Sequence, residues 1–95
     1  MLATWKDYLV VTDFMRARVT VLDGDDRLVA QLYENVDAPS RDDWPNARDA
    51  DGALVRPQLE AERFNSPHAV APDSAGNLYV TEWLAGGRYT KLTPR

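Results

Sequence analysis

A chain of 95 residues, 44% of them hydrophobic, can close one small core but is short for a closed repeat array. With 15 acidic against 11 basic residues the net charge is -4, which argues against a nucleic-acid partner. The absence of cysteine removes disulfides and thiolate metal sites, and no stretch approaches the ~20 apolar residues of a membrane helix. Residues 1–7 lack the basic flank and apolar run of a signal peptide, so the sequence reads as soluble and untargeted, with its compartment open.

Strand signals dominate in chain order. Tyr8 to Thr12, Arg18 to Leu22 and Leu28 to Tyr33 are short runs of β-branched, aromatic and leucine residues bounded by polar positions. Asp23-Gly24-Asp25-Asp26 joins the second run to the third and predicts a hairpin, because Gly24 tolerates positive φ and aspartates bond turn backbone. The same four residues resemble the start of a calcium loop, but the sixth position is Leu28 where such a loop needs glycine, which favours the hairpin. Val36 to Leu59 holds Pro39, Pro45, Gly52 and Pro57 among aspartates and arginines with no period of two or 3.6, and predicts a long exposed loop anchored by Trp44. A helical turn is expected near Pro57 to Arg63. His68 to Ala71, Leu78 to Glu82 and Arg88 to Leu92 then supply three further strands, separated by Asp73-Ser74-Ala75-Gly76-Asn77 and Ala85-Gly86-Gly87.

One phrase occurs twice. Val11-Thr12-Asp13-Phe14 superposes on Val80-Thr81-Glu82-Trp83, and after a one-residue insertion Arg18-Val19-Thr20-Val21-Leu22 superposes on Arg88-Tyr89-Thr90-Lys91-Leu92. Such self-similarity belongs to architectures in which one supersecondary unit cannot bury its apolar face alone and stacks on a neighbour. The pairs Val11 and Val80, Val19 and Tyr89, and Leu22 and Leu92 are therefore expected in matching apolar layers. Phe14 and Trp83 share a repeat position and read as core packing, while Arg18 and Arg88 read as structural partners of loop carbonyls or of a carboxylate on the adjoining strand.

The second copy, from Pro67-His68-Ala69-Val70 through Asp73-Ser74-Ala75-Gly76-Asn77, Leu78-Tyr79-Val80-Thr81-Glu82 and Arg88-Tyr89-Thr90-Lys91-Leu92, resembles an NHL-type repeat of a six-bladed β-propeller. The likeness is to the C-terminal end of bacterial single-chain propellers. It implies an all-β fold of two partial four-stranded antiparallel blades: residues 1–35 as one, residues 36–63 as an inter-blade loop, and residues 64–95 as the other. Residues 1–6 are expected to be too short for an innermost strand and its turn, so the chain reads as about one and a half blades where closed propellers have ~4–8. On this reading the chain is a fragment or a piece that associates, its partners being the remaining blades or copies of itself.

The resemblance also singles out His68. Peptidylglycine amidating lyases, six-bladed relatives, gather Pro-His pairs from several blades around one zinc, and Pro67-His68 is similar to that pair. It implies His68 as one metal ligand at the channel end of an innermost strand, with the others supplied by further blades, since this chain has 1 histidine. No Ser/His/Asp set or phosphate-cradling glycine loop accompanies it. Three functions are carried forward: a scaffold binding a small molecule or protein, part of a metal-dependent lyase or hydrolase, and an interaction domain completed by self-association.

Overall fold

The computed structural model describes residues 1–94. All of its extended structure is antiparallel, and no α-helix occurs among the described residues. Strands β1 (Leu2–Trp5), β2 (Tyr8–Asp13), β3 (Arg18–Leu22) and β4 (Leu28–Leu32) form one sheet in chain order, and β7 (Pro67–Pro72), β8 (Leu78–Glu82) and β9 (Arg88–Leu92) form a second. Between them β5 (Ala47–Arg48) and β6 (Leu54–Val55) make a small separate hairpin. No helix is long and apolar enough to cross a membrane among the described residues.

The first sheet is more complete than the sequence suggested. Residues 1–6 were expected to be too short for an innermost strand, yet Leu2–Trp5 pairs with β2 from Leu2 opposite Val11 to Trp5 opposite Tyr8. A two-residue connection suffices because Lys6 takes the left-handed conformation, at φ 56°. The alternation of Ala3 and Trp5 towards the core with Leu2 and Thr4 away from it then makes a strand of four residues. The first sheet thus has four strands, the second three.

The internal repeat holds to the residue. Asp13 lies opposite Arg18, Val11 opposite Thr20 and Leu9 opposite Leu22; in the second sheet Glu82 lies opposite Arg88, Val80 opposite Thr90 and Leu78 opposite Leu92. Both copies close with the same ion pair across the strands, Arg18 Nε to Asp13 Oδ2 at 2.8 Å and Arg88 Nε to Glu82 Oε2.

What differs is which face each copy buries. β2 turns Val10 and Thr12 inward, one residue out of phase with Val11, whereas β8 buries Leu78, Val80 and Glu82. The core between the sheets accordingly joins Val10, Val19 and Val21 of one sheet to Val70, Leu78 and Val80 of the other, with Phe64 closing it. Because one copy turns to the shared core the face that the other turns away from it, the sheets stack back to front, as repeated units do, rather than as two like faces. In each expected pair one residue lies between the sheets and the other holds the matching place on an outer face. Val80, Val19 and Leu92 lie between the sheets, while Val11, Tyr89 and Leu22 point to the outer faces.

The turns repeat too. Asp23 Oδ1 accepts the backbone N–H groups of Asp25 and Arg27 at 2.8 and 3.0 Å, Asp49 Oδ1 those of Asp51 and Ala53 at 2.9 and 3.0 Å, and Asp73 Oδ1 those of Ala75 and Asn77, both at 2.9 Å. The fourth residue of each turn is left-handed: Asp26 at φ 62°, Gly52 at 80° and Gly76 at 88°. Asp23-Gly24-Asp25-Asp26 is thus a hairpin turn whose first carboxylate is taken up by its own backbone.

The segment from Val36 to Leu59 contributes no strand to either main sheet and is largely exposed, although it buries Ala38 and Pro57. A helical turn does not form near Pro57 to Arg63; residues 56–60 carry no regular structure and a simple turn with Glu62 at φ 60° follows them, while the short 3-10 turns lie at Phe14–Arg16 and Ala38–Ser40.

Candidate functional site

Three separate segments meet at the end of the sheets where β2 and β8 finish and β7 begins. Phe14 follows β2, His68 is the second residue of β7, and Trp83 follows β8. The Phe14 ring centroid lies 5.9 Å from that of His68, edge to face, and 5.9 Å from that of Trp83, while His68 and Trp83 are 5.6 Å apart. Trp44 of the connecting segment completes the group, 4.7 Å from Phe14. These separations suit edge-to-face and tilted aromatic packing.

Hydrogen bonds fix the group from below. Thr12 Oγ1 donates to the His68 carbonyl at 2.9 Å and so ties β7 to β2. The Trp83 backbone N–H donates to the Ser66 carbonyl at 3.0 Å, and Ser66 Oγ donates to the Trp83 carbonyl at 2.9 Å. Trp44 Nε1 donates to the Asn65 carbonyl at 2.7 Å, and Asn65 Nδ2 donates to the Pro45 carbonyl at 2.8 Å. The backbone is held while two of the four rings stay open to solvent. Trp83 is 64% exposed and His68 is exposed, whereas Phe14 and Trp44 are half-buried. The expectation that Phe14 and Trp83 are core residues is therefore corrected: the core closes on the valines of β2 and β8, and the residue after each strand lies beyond it.

A carboxylate–arginine network supports this platform. The buried Glu82 carboxylate accepts the backbone N–H of Asn65 at 2.5 Å and of Ser66 at 3.0 Å, and pairs with Arg88. Arg88 also donates to the carbonyls of Glu60 at 2.8 Å and Arg63 at 2.6 Å, so the strand-end pair clamps the approach to β7. In the other copy Arg18 donates to Asp13 at 2.8 Å and to Glu34 at 2.7 Å, and these two bonds, Asp13 foremost, raise its pKa above the ordinary arginine value. Both arginines have the structural role expected of them.

His68 is the exposed second residue of β7. Its ring neighbours are aromatic, and no group of three histidine, cysteine or carboxylate side chains suited to a metal occurs among the described residues. One imidazole against two apolar rings does not fit a three- or four-ligand zinc site, so no reaction step through a metal is derived from these residues.

A second concavity lies between β4 and β9, an apolar cleft of about 570 Å³ bordered by Trp5, Tyr8, Leu32, Tyr33, Lys91 and Leu92. Trp5 Nε1 donates to the Gly76 carbonyl at 2.8 Å and pins one end of it. It borders the outer edge of β9, which pairs with no other strand among the described residues. The aromatic group was legible only in part. His68 was singled out, but its convergence with Phe14, Trp44 and Trp83 had no local signal beyond the shared repeat position of Phe14 and Trp83. Comparison with protein families, curated proteins and solved structures returns no match to this chain.

Proposed function

We propose that this chain is part of an NHL-type six-bladed β-propeller, of the bacterial single-chain kind, that acts as a binding scaffold. Its ligand-facing surface is the ring group of Phe14, Trp44, His68 and Trp83. The observation that carries this reading is the convergence of four aromatic rings from separate segments on one end of the sheets, with two of them open to solvent. Exposed aromatics held on a hydrogen-bonded frame lose little freedom when they bind, which makes them effective anchors. The neighbouring carboxylates of Asp13 and Glu82 are already paired with arginines, so the platform suits a small molecule or protein side chain with a flat apolar face better than a cation.

Heteronuclear NMR with a panel of aromatic amides and monosaccharides tests this. The Trp83 indole and His68 imidazole signals should shift together, and Trp83→Ala should abolish binding while the melting temperature stays within a few degrees. Shifts confined to the Trp5 indole would move the site to the cleft between β4 and β9 and overturn the assignment.

The alternative is a metal-dependent lyase or hydrolase, favoured by the exposure of His68 directly after Pro67. It needs zinc ligands from further blades. In a longer parent protein His68→Ala should then remove bound zinc with the fold intact, and unchanged metal content and activity would eliminate it.

A further inference from the structure

The interface between the two sheets has its counterparts on the two outer faces of the molecule. Within the chain, the face of the second sheet bearing Leu78, Val80 and Leu92 packs on the face of the first sheet bearing Val10, Val19 and Val21. By register, Leu78, Val80 and Leu92 correspond to Leu9, Val11 and Leu22, which lie on the outer face of the first sheet. Likewise Val10, Thr12, Val19 and Val21 correspond to Tyr79, Thr81, Tyr89 and Lys91 on the outer face of the second sheet. The molecule therefore presents at one end the counterpart of the surface that its second sheet uses for packing, and at the other the counterpart of the surface that receives it.

We infer that copies of this chain associate head to tail, the Leu9–Val11–Leu22 face of one copy packing on the Tyr79–Thr81–Tyr89 face of the next. This rests on register and burial, not on the propeller reading, and the two can fail separately.

The residues suit such a contact. Leu2 beside Val11 is 62% exposed and Leu28 beside Leu22 is 59% exposed, an apolar margin around one face. Tyr89, 74% exposed, stands in the place of buried Val19 and offers a large amphipathic anchor to the other. Lys91 occupies the place of Val21, which borders one cleft with Leu78 and Leu92. In the intermolecular contact Lys91 accordingly falls beside Leu9 and Leu22, one residue from the acidic turn that begins at Asp23, so opposite charges meet at the rim. The two faces are different, so the contact is heterologous; each copy keeps one free face, and the assembly grows until it closes as a ring or continues as a filament.

Sedimentation velocity over a concentration series tests the inference with two blocked variants. Val11→Asp disables the first face and Tyr89→Asp the second. The unmodified chain should associate with increasing concentration, and each variant alone should weaken association on the order of 30-fold or more. Mixed together, the variants should form a 1:1 dimer that grows no further, because one sound face of each kind remains. If circular dichroism shows that Val11→Asp does not fold, Leu2→Asp at the exposed margin replaces it. A chain that stays monomeric to about 1 mM overturns the inference. A mixture that fails to dimerise overturns it too, as does association that survives Tyr89→Asp unchanged, the mark of two like faces meeting.

Discussion

Replacing Arg88 and Arg18 in turn by alanine makes one chemical change at two equivalent places of the repeat, and the structure predicts unequal costs. Arg88 pairs with a Glu82 carboxylate whose side chain is 0% exposed, and among the described residues it alone supplies that carboxylate with positive charge; the two backbone N–H groups from Asn65 and Ser66 remain after its removal. Breaking a buried pair by deleting one partner costs about 3–5 kcal/mol, because the remaining charge stays desolvated. Two carbonyls, of Glu60 and Arg63, lose their donor as well. Arg18 sits with Asp13 and Glu34 at side-chain exposures of 20%, 30% and 35%, where water substitutes for the lost partner and the cost is about 1 kcal/mol. A domain of this size has roughly 5–14 kcal/mol in total, so Arg88→Ala removes a large fraction of it. In urea titrations followed by tryptophan fluorescence, with a slope of about 1 kcal/mol/M, the midpoint should fall roughly 3 M or more for Arg88→Ala and about 1 M for Arg18→Ala. If Arg88→Ala is unfolded from the start, Arg88→Lys, which keeps the charge and loses the carbonyl contacts, should fall between. Losses equal within about 0.5 kcal/mol would refute the claim that burial separates the two copies.

The turns supply two further tests. Gly76 sits at φ 88°, and an added Cβ would meet Lys6 Cε at an ordinary 3.5 Å. Gly76→Ala should therefore cost about 1–2 kcal/mol through backbone conformation alone. Asp26→Gly at the equivalent position should stay within about 0.5 kcal/mol, relief of left-handed strain offsetting added unfolded-state freedom, and thermal melts will read both. The Asp73 carboxyl is lowered from 3.8 to about 2, first by the Asn77 side-chain amide and then by the Asn77 backbone N–H, which favour the ionised form. A folded value below the unfolded one means that this contribution is complete above pH about 4 and is lost as pH falls towards about 2. Asp73→Asn should flatten stability against pH within that window, and an unchanged slope would show that other carboxylates govern it.

Much of the backbone was written locally. The β-branched runs, the Asp-initiated turns and the paired Asp/Glu and Arg at the strand ends mark β2, β3, β8 and β9 to within a residue, because alternation, turn chemistry and cross-strand charge act over a few positions. β1 escaped because a strand of four residues with a two-residue turn has little pattern to show. The β5–β6 hairpin escaped although Asp49-Ala50-Asp51-Gly52-Ala53 repeats the turn chemistry of Asp23 and Asp73, since strands of two residues carry no alternation. By itself the sequence determined an all-β chain and a register shared by its two copies. Which face each copy buries is beyond such signals, because Val10 and Val11 are equally apolar neighbours and only the second sheet, packed on one side, distinguishes them. The meeting of His68, Trp83, Phe14 and Trp44 is likewise a product of tertiary structure: Phe14 comes within 6 Å of three rings that lie 30 and more positions further along the chain once β7 docks on β2.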